Sequence, residues 1–575
     1  MELPIVRRTV SSEPLCHTLH PILDRVYRGR AIASLDELEI KAQALQHYAE
    51  LTGTELAAQL LCKAIYTDQK VVIVGDFDAD GATSTAVCML ALKQMGLQHI
   101  SYLVPNRFDF GYGLSEQIVD VACDEGAEVI VTVDNGIACL PGVARAKARG
   151  ATVIITDHHL PGSELPDADA IVNPNQPGCE FLSKNLAGVG VAFYLMLAIR
   201  ARLQADKWFE KQQIAVPNLA NLLDIVAVGT VADVVALDKN NRILVYQGLQ
   251  RIRAGKCRPG IRALFEVANK TLQHVSATDL GFVVGPRLNA AGRLDDMALG
   301  IECLLCEDAM QARFLASELD QLNQQRKTIE GDMKAEAEKV IASLTVEQQQ
   351  MPPALVLYNA DFHQGVIGIV AGRMKEKYKC PAIAFAHQDD EEIKGSARSV
   401  PGVHIRDVLE EVNSQKPGLI PKFGGHAMAA GLSLPVASLP EFETLFMQVV
   451  TRHLQNIDSL HTIMSDGELA PEDLTLPLAR LLKQAVPFGQ GFEAPLFDGV
   501  FEIAHQRLLK QQHLKLVLKT GDQQEVDAIA FNVDTNIWPD TSITHVQLAY
   551  QLDVNVFRGK ETVQLIVQEL APHGH

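Results

Sequence analysis

Aspartates and histidines collect at three places where a run of β-branched residues ends. Val71–Val74 is followed by Gly75-Asp76-Phe77-Asp78-Ala79-Asp80-Gly81, Val129–Val133 by Asp134-Asn135-Gly136, and Thr152–Thr156 by Asp157-His158-His159. Carboxylates at this density repel: two of them ~4 Å apart cost about 4 kcal/mol at an effective dielectric near ~20. A divalent cation removes that conflict, and oxygen ligands with one or two imidazoles favour Mn²⁺ or Mg²⁺ over a structural zinc. Two such ions ~3.5–4 Å apart are the standard arrangement for in-line displacement at phosphorus. Each piece alone has a simpler reading. Asp-x-Asp-x-Asp-Gly has the look of a calcium loop, but its twelfth position is Val87 rather than glutamate. Asp-Asn-Gly is an ordinary turn, and a His-His pair after a strand is ordinary too. Their coincidence at three successive strand ends is what points to a metal site.

The elements that must carry these residues alternate. Apolar runs at 71–74, 100–104, 129–133 and 152–156 are separated by helical spacing at 84–95, 115–124 and 143–148. This predicts an α/β fold whose mainly parallel sheet has helices on both faces. Ligands bind outside the carboxyl ends of the strands in such sheets, so one rim receives four to five carboxylates and two imidazoles. Residues 1–50, with Pro4, Pro14 and Pro21, read as an irregular lead-in. Residues 219–300 read as mostly helical, with loops at 255–260 and 285–294. From about 307 to 341 one helical stretch carries Leu315, Leu319, Leu322, Ile329, Met333 and Val340 in steps of three, four or seven. At 1.5 Å per residue it would reach about 50 Å, which suits a spacer between domains better than a core element. Pro352-Pro353 closes it, and a second α/β unit follows over 354–454. Beyond that, 513–518 and 546–557 alternate with period two, placing Val546, Leu548, Tyr550, Leu552, Val554 and Val556 on one face. Arg558-Gly559-Lys560 turns the chain into 563–567, which predicts a small antiparallel β-barrel.

The bulk numbers narrow the class. A chain of 575 residues exceeds one ordinary core, so about three or four domains are expected. With 47% apolar and 21% charged residues the composition is that of a soluble globular protein. There is no uninterrupted apolar run of ~18 residues and no apolar stretch behind Arg7-Arg8, so neither a membrane span nor a secretory signal is expected. The ten cysteines lack zinc spacing and read as reduced thiols of a cytoplasmic protein. The net charge of −19 argues against a tight coat on duplex DNA. It is compatible with an acidic metal site beside locally basic clefts.

In this order, the three acidic segments resemble the first three motifs of the DHH phosphoesterases, with Asp157-His158-His159 as the signature, and Gly229-Thr230-Val231-Ala232-Asp233 fits the fourth. The resemblance implies two ions, one bound by Asp78 and a second by Asp80, His158 and Asp233, with Asp134 bridging. It places Asp76 beside the first ion, as ligand or outer partner, while Asp157 and His159 support the site or contact phosphate. Physical argument alone does not rank Asp233 above other helical acids. The tyrosine frequent in the first motif is Phe77 here, which puts no ligand in doubt.

Four further segments carry the resemblance on. In Gly285-Pro286-Arg287-Leu288-Asn289-Ala290-Ala291-Gly292-Arg293, arginines on glycine-bounded turns can approach phosphate and bind it bidentately, although a capping turn is the simpler reading. Phe362-His363-Gln364-Gly365-Val366-Ile367-Gly368 follows a strand and opens a helix, as a phosphate-accepting N-terminus would. Gly395-Ser396-Ala397-Arg398-Ser399 and Phe423-Gly424-Gly425-His426 add glycine, hydroxyl, arginine and histidine in short linkers. Together these resemble the RecJ family, from about residue 50 to 570. In that family a parallel-sheet DHH domain is linked by a long helix to a smaller α/β DHHA1 domain, with a C-terminal OB-like β-barrel. The implied division is lead-in 1–50, catalytic domain with helical extension 51–300, connecting helix 301–350, DHHA1 domain 351–455 and OB-like domain 456–575.

The same resemblance implies a metal-dependent exonuclease that hydrolyses single-stranded DNA 5′→3′ to 5′ mononucleotides, in repair and recombination, with two Mn²⁺ or Mg²⁺ ions. Gly424, Gly425 and His426 would close over the metal site; Ser396 and Arg398, with Arg287 and Arg107, would receive phosphates near the 5′ end; Asn289, Arg293 and His363 would line the cleft. The strand would thread between the two α/β domains, with water activated by the ions attacking phosphorus and the 3′ oxygen leaving. Arg507, Lys510, Lys515 and Lys519 can supply charge along an OB groove, or form a solvated face. Aromatics are only 6% of the chain, so base stacking falls to no named residue. Single-stranded-DNA-binding protein and a helicase are the implied partners, a monomer fits the channel, and no membrane is involved. Two rivals remain. A DHH enzyme of short oligonucleotides or cyclic dinucleotides would need neither the long helix nor the β domain. A catalytically inactive replication scaffold would be expected to lack ligands, whereas Asp78, Asp80, Asp134, His158 and Asp233 are all present.

Overall fold

A computed structural model describes residues 3–105, 113–348, 352–389, 391–455 and 462–574. The chain forms two compact units, the first from Met1–Gly292, Asp296–Asp320 and Thr462–His575, the second from Arg293–Asp295 and Gln321–His461.

The sheet of the first unit runs in the order Ile100–Leu103, Val71–Val74, Val129–Val133, Thr152–Thr156, Ala170–Val172, with every neighbouring pair parallel. Val71–Val74 and Val129–Val133 are buried at every position, which is why they read as unbroken apolar runs rather than alternating ones. From Val71–Val74 the chain passes first to one side of the sheet and then returns to the other. The switch point therefore lies between Val71–Val74 and Val129–Val133, where a crevice opens at the carboxyl ends. The edge strand Ala170–Val172 escapes the hydrophobic pattern because it is only three residues long. The helix that follows Val71–Val74 is Ala79–Gln94, five residues longer at its start than its apolar spacing suggests, because Asp78 is its N-cap and accepts the Gly81 amide. That helix is buried nearly all round, against the sheet and against the helices Gly188–Ala205 and Leu223–Ala232. Gly188–Ala205 has the length and hydropathy of a membrane span, but it is packed in this core.

Residues 1–50 consist of short pieces, as expected, but they are anchored: Ile5–Arg7 pairs in parallel with Ile463–Ser465, and Tyr27 on the helix Pro21–Arg28 stacks at 6.5 Å on both Phe488 and Phe492. Arg30 holds Asp466 through two bonds of 2.5 and 2.9 Å. Residues 285–294 form a helix rather than a loop, preceded by a π-helical turn, Leu280–Val284. Pro286 has no N–H for the carbonyl four residues back, and a π turn accommodates that loss without ending the helix. The C-terminal strands Phe497–Leu509, His513–Lys519, Glu525–Ala530, Lys560–His573 and His545–Phe557 close a barrel in that order. One pair in it, Glu525–Ala530 with Lys560–His573, is parallel. Val546 to Val554 point into its core as predicted, while Val556, beyond it, is exposed.

In the second unit the sheet order is Lys422–Gly425, Ala429–Pro435, Glu392–Arg398, Ala382–His387, Leu355–Tyr358; only the last pair is parallel. Ser396, Arg398, Gly424 and Gly425 thus lie on strands, not in linkers. Ile393, Gly395 and Ala397 take the buried face, leaving Ser396 and Arg398 on the other. The long helix is Ala309–Gln348. It is a core element rather than a bare spacer: Ala312, Leu315, Ala316 and Leu319 are buried in the first unit, and Met333, Ala337 and Ile341 join Leu355, Val370 and Met374 in the second.

Candidate active site

The crevice residues are positioned by backbone first. Asp134 sits at φ +61° directly after its strand, in the left-handed region. Its turn is fixed from both sides: the Asn135 amide donates to the carbonyls of Val74 (3.2 Å) and Val133 (2.9 Å), and the Thr132 hydroxyl donates to Asn135 O (2.7 Å). Asp80, fully buried, accepts the amides of Gly188 (2.6 Å) and Val189 (2.8 Å), at the N-terminus of Gly188–Ala205. Asp76 accepts the Phe77 amide at 2.8 Å. Asp233 ends the apolar helix Leu223–Ala232.

His158 Nε2 lies 3.2 Å from Asp134 Oδ1, 3.4 Å from Asp233 Oδ2 and 3.9 Å from Asp80 Oδ2. One imidazole thus faces three carboxylates from three elements. Burial, and then the charge of Asp78, push the Asp80 carboxyl up to about 7 despite its two amide donors. Burial and the charges of Asp80 and Asp78 likewise hold Asp134 and Asp233 well above the usual carboxylate range. These acids cannot all ionise side by side without a cation. Ligand atoms of Asp76, Asp78 and Asp134 lie within 4.8 Å of one another; so do those of Asp80, His158 and Asp233, and those of Asp134, His158 and His159. Oxygen-rich sets with one or two imidazoles fit Mn²⁺ or Mg²⁺.

Asp157 is turned to another task. Its Oδ1 accepts the amides of His158 (2.8 Å) and His159 (3.1 Å) and lies 2.7 Å from His159 Nδ1, while Oδ2 accepts the Ile137 amide (2.9 Å). Burial would raise this carboxyl, but the His159 bond and the amides outweigh it and hold it below the usual range. For His159 burial works downward, and the bond and charge of Asp157 overcome it, raising the imidazole to about 9. Asp157 therefore favours the cationic form of His159 in the metal-free protein.

Asn289 accepts the Ala79 amide at 2.8 Å, so the helix Gly285–Leu294 braces the first acidic loop. Gly292 is needed there, because a Cβ would stand 1.7 Å from Phe77 O. Arg287 is buried, donating to Val283 O and pairing with Asp320 at 2.7 Å each. In the second unit, Arg293 donates to Gly365 O (2.9 Å), and His363 Nδ1 accepts the Gly365 amide (3.0 Å). Arg398 donates to Ser396 Oγ (3.0 Å) and Ala397 O (2.8 Å), and its burial lowers the guanidinium pKa. A Cβ on Gly368 would be 2.9 Å from both Arg398 Nη2 and Ser396 Oγ, so the first turn of Ile367–Tyr378 lies against these two side chains. That is an anion-accepting arrangement. Gly424 and Gly425 end their strand and His426 follows, its amide donating to Ala429 O at 2.8 Å. Arg107 lies outside the described residues.

Sequence reasoning missed the amides of Gly188 and Val189, and it missed Asn173 and Asn175. Their side chains donate to His159 O (2.9 Å) and His158 O (2.6 Å) and so fix the His-His turn. Asn-Pro-Asn directly after Ala170–Val172 was the available signal.

Residues 70–230 match the DHH family, N-terminal domain, residues 352–452 the DHHA1 domain, and residues 465–569 the RecJ OB domain. With acidic strand ends meeting at the sheet's switch point, these matches define a DHH-type phosphoesterase. The chain is 53% identical to the single-stranded-DNA-specific exonuclease RecJ of Dickeya dadantii (strain 3937), covering 98% of each chain. It is 52% identical to that of Escherichia coli (strain K12), covering 96% of each. Crystal structures of RecJ from Thermus thermophilus in complex with Mn²⁺ and with Mg²⁺ match with TM-scores of 0.75 and 0.71 at 28% and 27% identity. Those matches cover 97% of this chain and 76% and 75% of the crystallised chains. The chain belongs to the RecJ family of DHH proteins.

Proposed function

We propose that this chain is a metal-dependent exonuclease that hydrolyses single-stranded DNA from the 5′ end to 5′ mononucleotides. The observation that carries the reading is Asp134, which belongs both to the Asp76–Asp78 group and to the group around His158. Asp76, Asp78 and Asp134 would hold one ion, and Asp80, His158 and Asp233 the other, with Asp134 reaching both. When bound, Mn²⁺ or Mg²⁺ supplies positive charge for the phosphoryl oxygens and lowers the pKa of water. The protein's own groups do the rest. The amides of Gly188 and Val189 hold Asp80 in place. His159, kept cationic by Asp157, neutralises a non-bridging phosphate oxygen of the linkage being cut. Ser396, Arg398 and the first turn of Ile367–Tyr378 accept a terminal phosphate, and Arg293, His363, Gly424, Gly425 and His426 are assigned to strand binding on the same unit. Arg287, engaged with Asp320, holds its helix, and Asn289 holds the acidic loop. In the barrel, Lys515 pairs with Asp527 and Lys519 with Glu502, so strand contact falls to Arg507 and Lys510.

We assign catalysis to residues 51–300 and strand binding to 456–575. The setting is the cytoplasm, where the ten cysteines stay reduced, in repair and recombination. A helicase exposes the strand there, and single-stranded-DNA-binding protein presents it. Asp134→Ala tests the reading: it should abolish Mn²⁺-dependent release of nucleotides from a single strand while leaving the thermal melt cooperative. Retained turnover would overturn the assignment.

A further inference from the structure

Phe282 exposes 79% of its surface, the most of any aromatic side chain among the described residues. A single exposed apolar residue is common, but this one stands on the π-helical turn Leu280–Val284. Such turns make up well under 1% of residues and are frequent at functional sites. Leu280, Val283 and Val284 are buried, so the turn meets its packing needs without Phe282. The turn is also locked to the metal centre from two directions. Gly281 and Gly285 pack on Val231 and Ala232, where added Cβ atoms would stand 3.3 and 3.2 Å from the nearest side-chain carbon; these are the last residues before Asp233. Downstream, Asn289 and Gly292 hold the loop of Asp76, Asp78 and Asp80. A second observation lies on the other side of Asp233. Val234 is 62% exposed at φ +63°, a conformation that a β-branched residue adopts only under constraint.

Two exposed apolar side chains thus stand on elements packed against each other, Val234 next to Asp233 in sequence and Phe282 on the turn that packs on Val231 and Ala232. We propose that Phe282, with Val234 beside it, is a shelf on which one nucleobase of the bound strand stacks next to the linkage being cut. Stacking suits an enzyme without sequence preference, because every base presents a π-face. The assignment rests on the single-strand exonuclease reading above.

The test compares wild type, Phe282→Ala and Phe282→Trp on single strands carrying one abasic site, scanned from the 5′ end. Phe282→Ala should raise KM on intact strands about tenfold, with Mn²⁺ affinity unchanged, and Phe282→Trp should restore it. In wild type, an abasic site at one position should cost the same factor, and Phe282→Ala should lose nothing further there. A wild-type KM for Phe282→Ala, or equal added losses at every abasic position, would overturn the shelf. If wild type cleaves no single strand at all, the exonuclease reading fails first and the shelf with it.

Discussion

Gly188→Ala is a methyl-sized perturbation aimed at the metal centre through a residue that carries no functional group. A Cβ at this position would stand 2.6 Å from both Cβ and Oδ1 of Asp134 and 2.8 Å from its Cγ. Ordinary contact needs ~3.5 Å or more, so something must move by about 1 Å. Asp134 resists any shift of its backbone, because the Asn135 and Thr132 hydrogen bonds hold its turn at φ +61°. The helix cannot yield freely either, since the Gly188 and Val189 amides hold Asp80. Rotating the carboxylate would leave its Cβ in contact, so the turn and the helix start are forced apart and the carboxylate is carried out of place. A misplacement of about 1 Å in a reacting constellation costs on the order of 10²-fold in rate. Folding should suffer less: overpacking costs about 1–3 kcal/mol, and alanine regains up to ~1 kcal/mol of helix propensity over glycine. The assay is kcat on a labelled single strand at saturating Mn²⁺, beside a thermal melt. A cooperative melt with kcat down about a hundredfold is expected. A folded variant with kcat within about threefold of wild type would refute the steric argument.

Two further outcomes follow from the electrostatics. The unfolded chain ionises Asp80 near pH ~4, whereas the folded, metal-free protein keeps that proton to about 7. The folded state binds the extra proton across that window, so metal-free stability falls as pH rises from about 4 to about 7. Asp134 and Asp233, raised further, act in the same direction. Melts from pH 5 to 8 should show this downward slope in chelator and lose it in Mn²⁺; a chelator melt rising with pH would contradict it. Asp157→Asn removes the partner that keeps the His159 imidazole charged up to about 9, so its pKa should fall toward ~6.5. The variant's kcat/KM should decline above about pH 7 while wild type holds; identical pH profiles would rule out a cationic role for His159.

The acidic half of the site was legible because its carboxylates follow strands buried on both faces, and such strands announce themselves as short β-branched runs. The two groups that fix it were not. Gly188 and Val189 act through backbone amides, which have no side-chain signature, and they lie more than 100 residues from the aspartate they hold. Ile5–Arg7 is too short to show a period, and its partner strand is over 450 residues away, so the anchoring of the N-terminal segment was not legible. Residues 285–294 looked like a turn because Gly285, Pro286 and Gly292 are breakers in isolation. Packing of Gly285 on Ala232 and of Gly292 on Phe77 overrides that propensity: an added Cβ would stand 3.2 Å from Ala232 Cβ at the first and 1.7 Å from Phe77 O at the second. The pairing of Arg287 with Asp320 was not legible either, because that partner lies 33 residues further on. Ser396 and Arg398 were read as linker residues because Gly395 hid the strand's alternation. Gly395 takes a buried position where a Cβ would meet Phe385 at 2.4 Å.

The most direct test of the central claim uses one oligonucleotide in two forms, labelled at its 5′ or its 3′ end, with Mn²⁺, as a single strand and as a blunt duplex. The 5′ label should leave at once as a mononucleotide while the 3′ label shortens stepwise, on the single strand alone. Immediate release of the 3′ label, or equal digestion of the duplex, would contradict it.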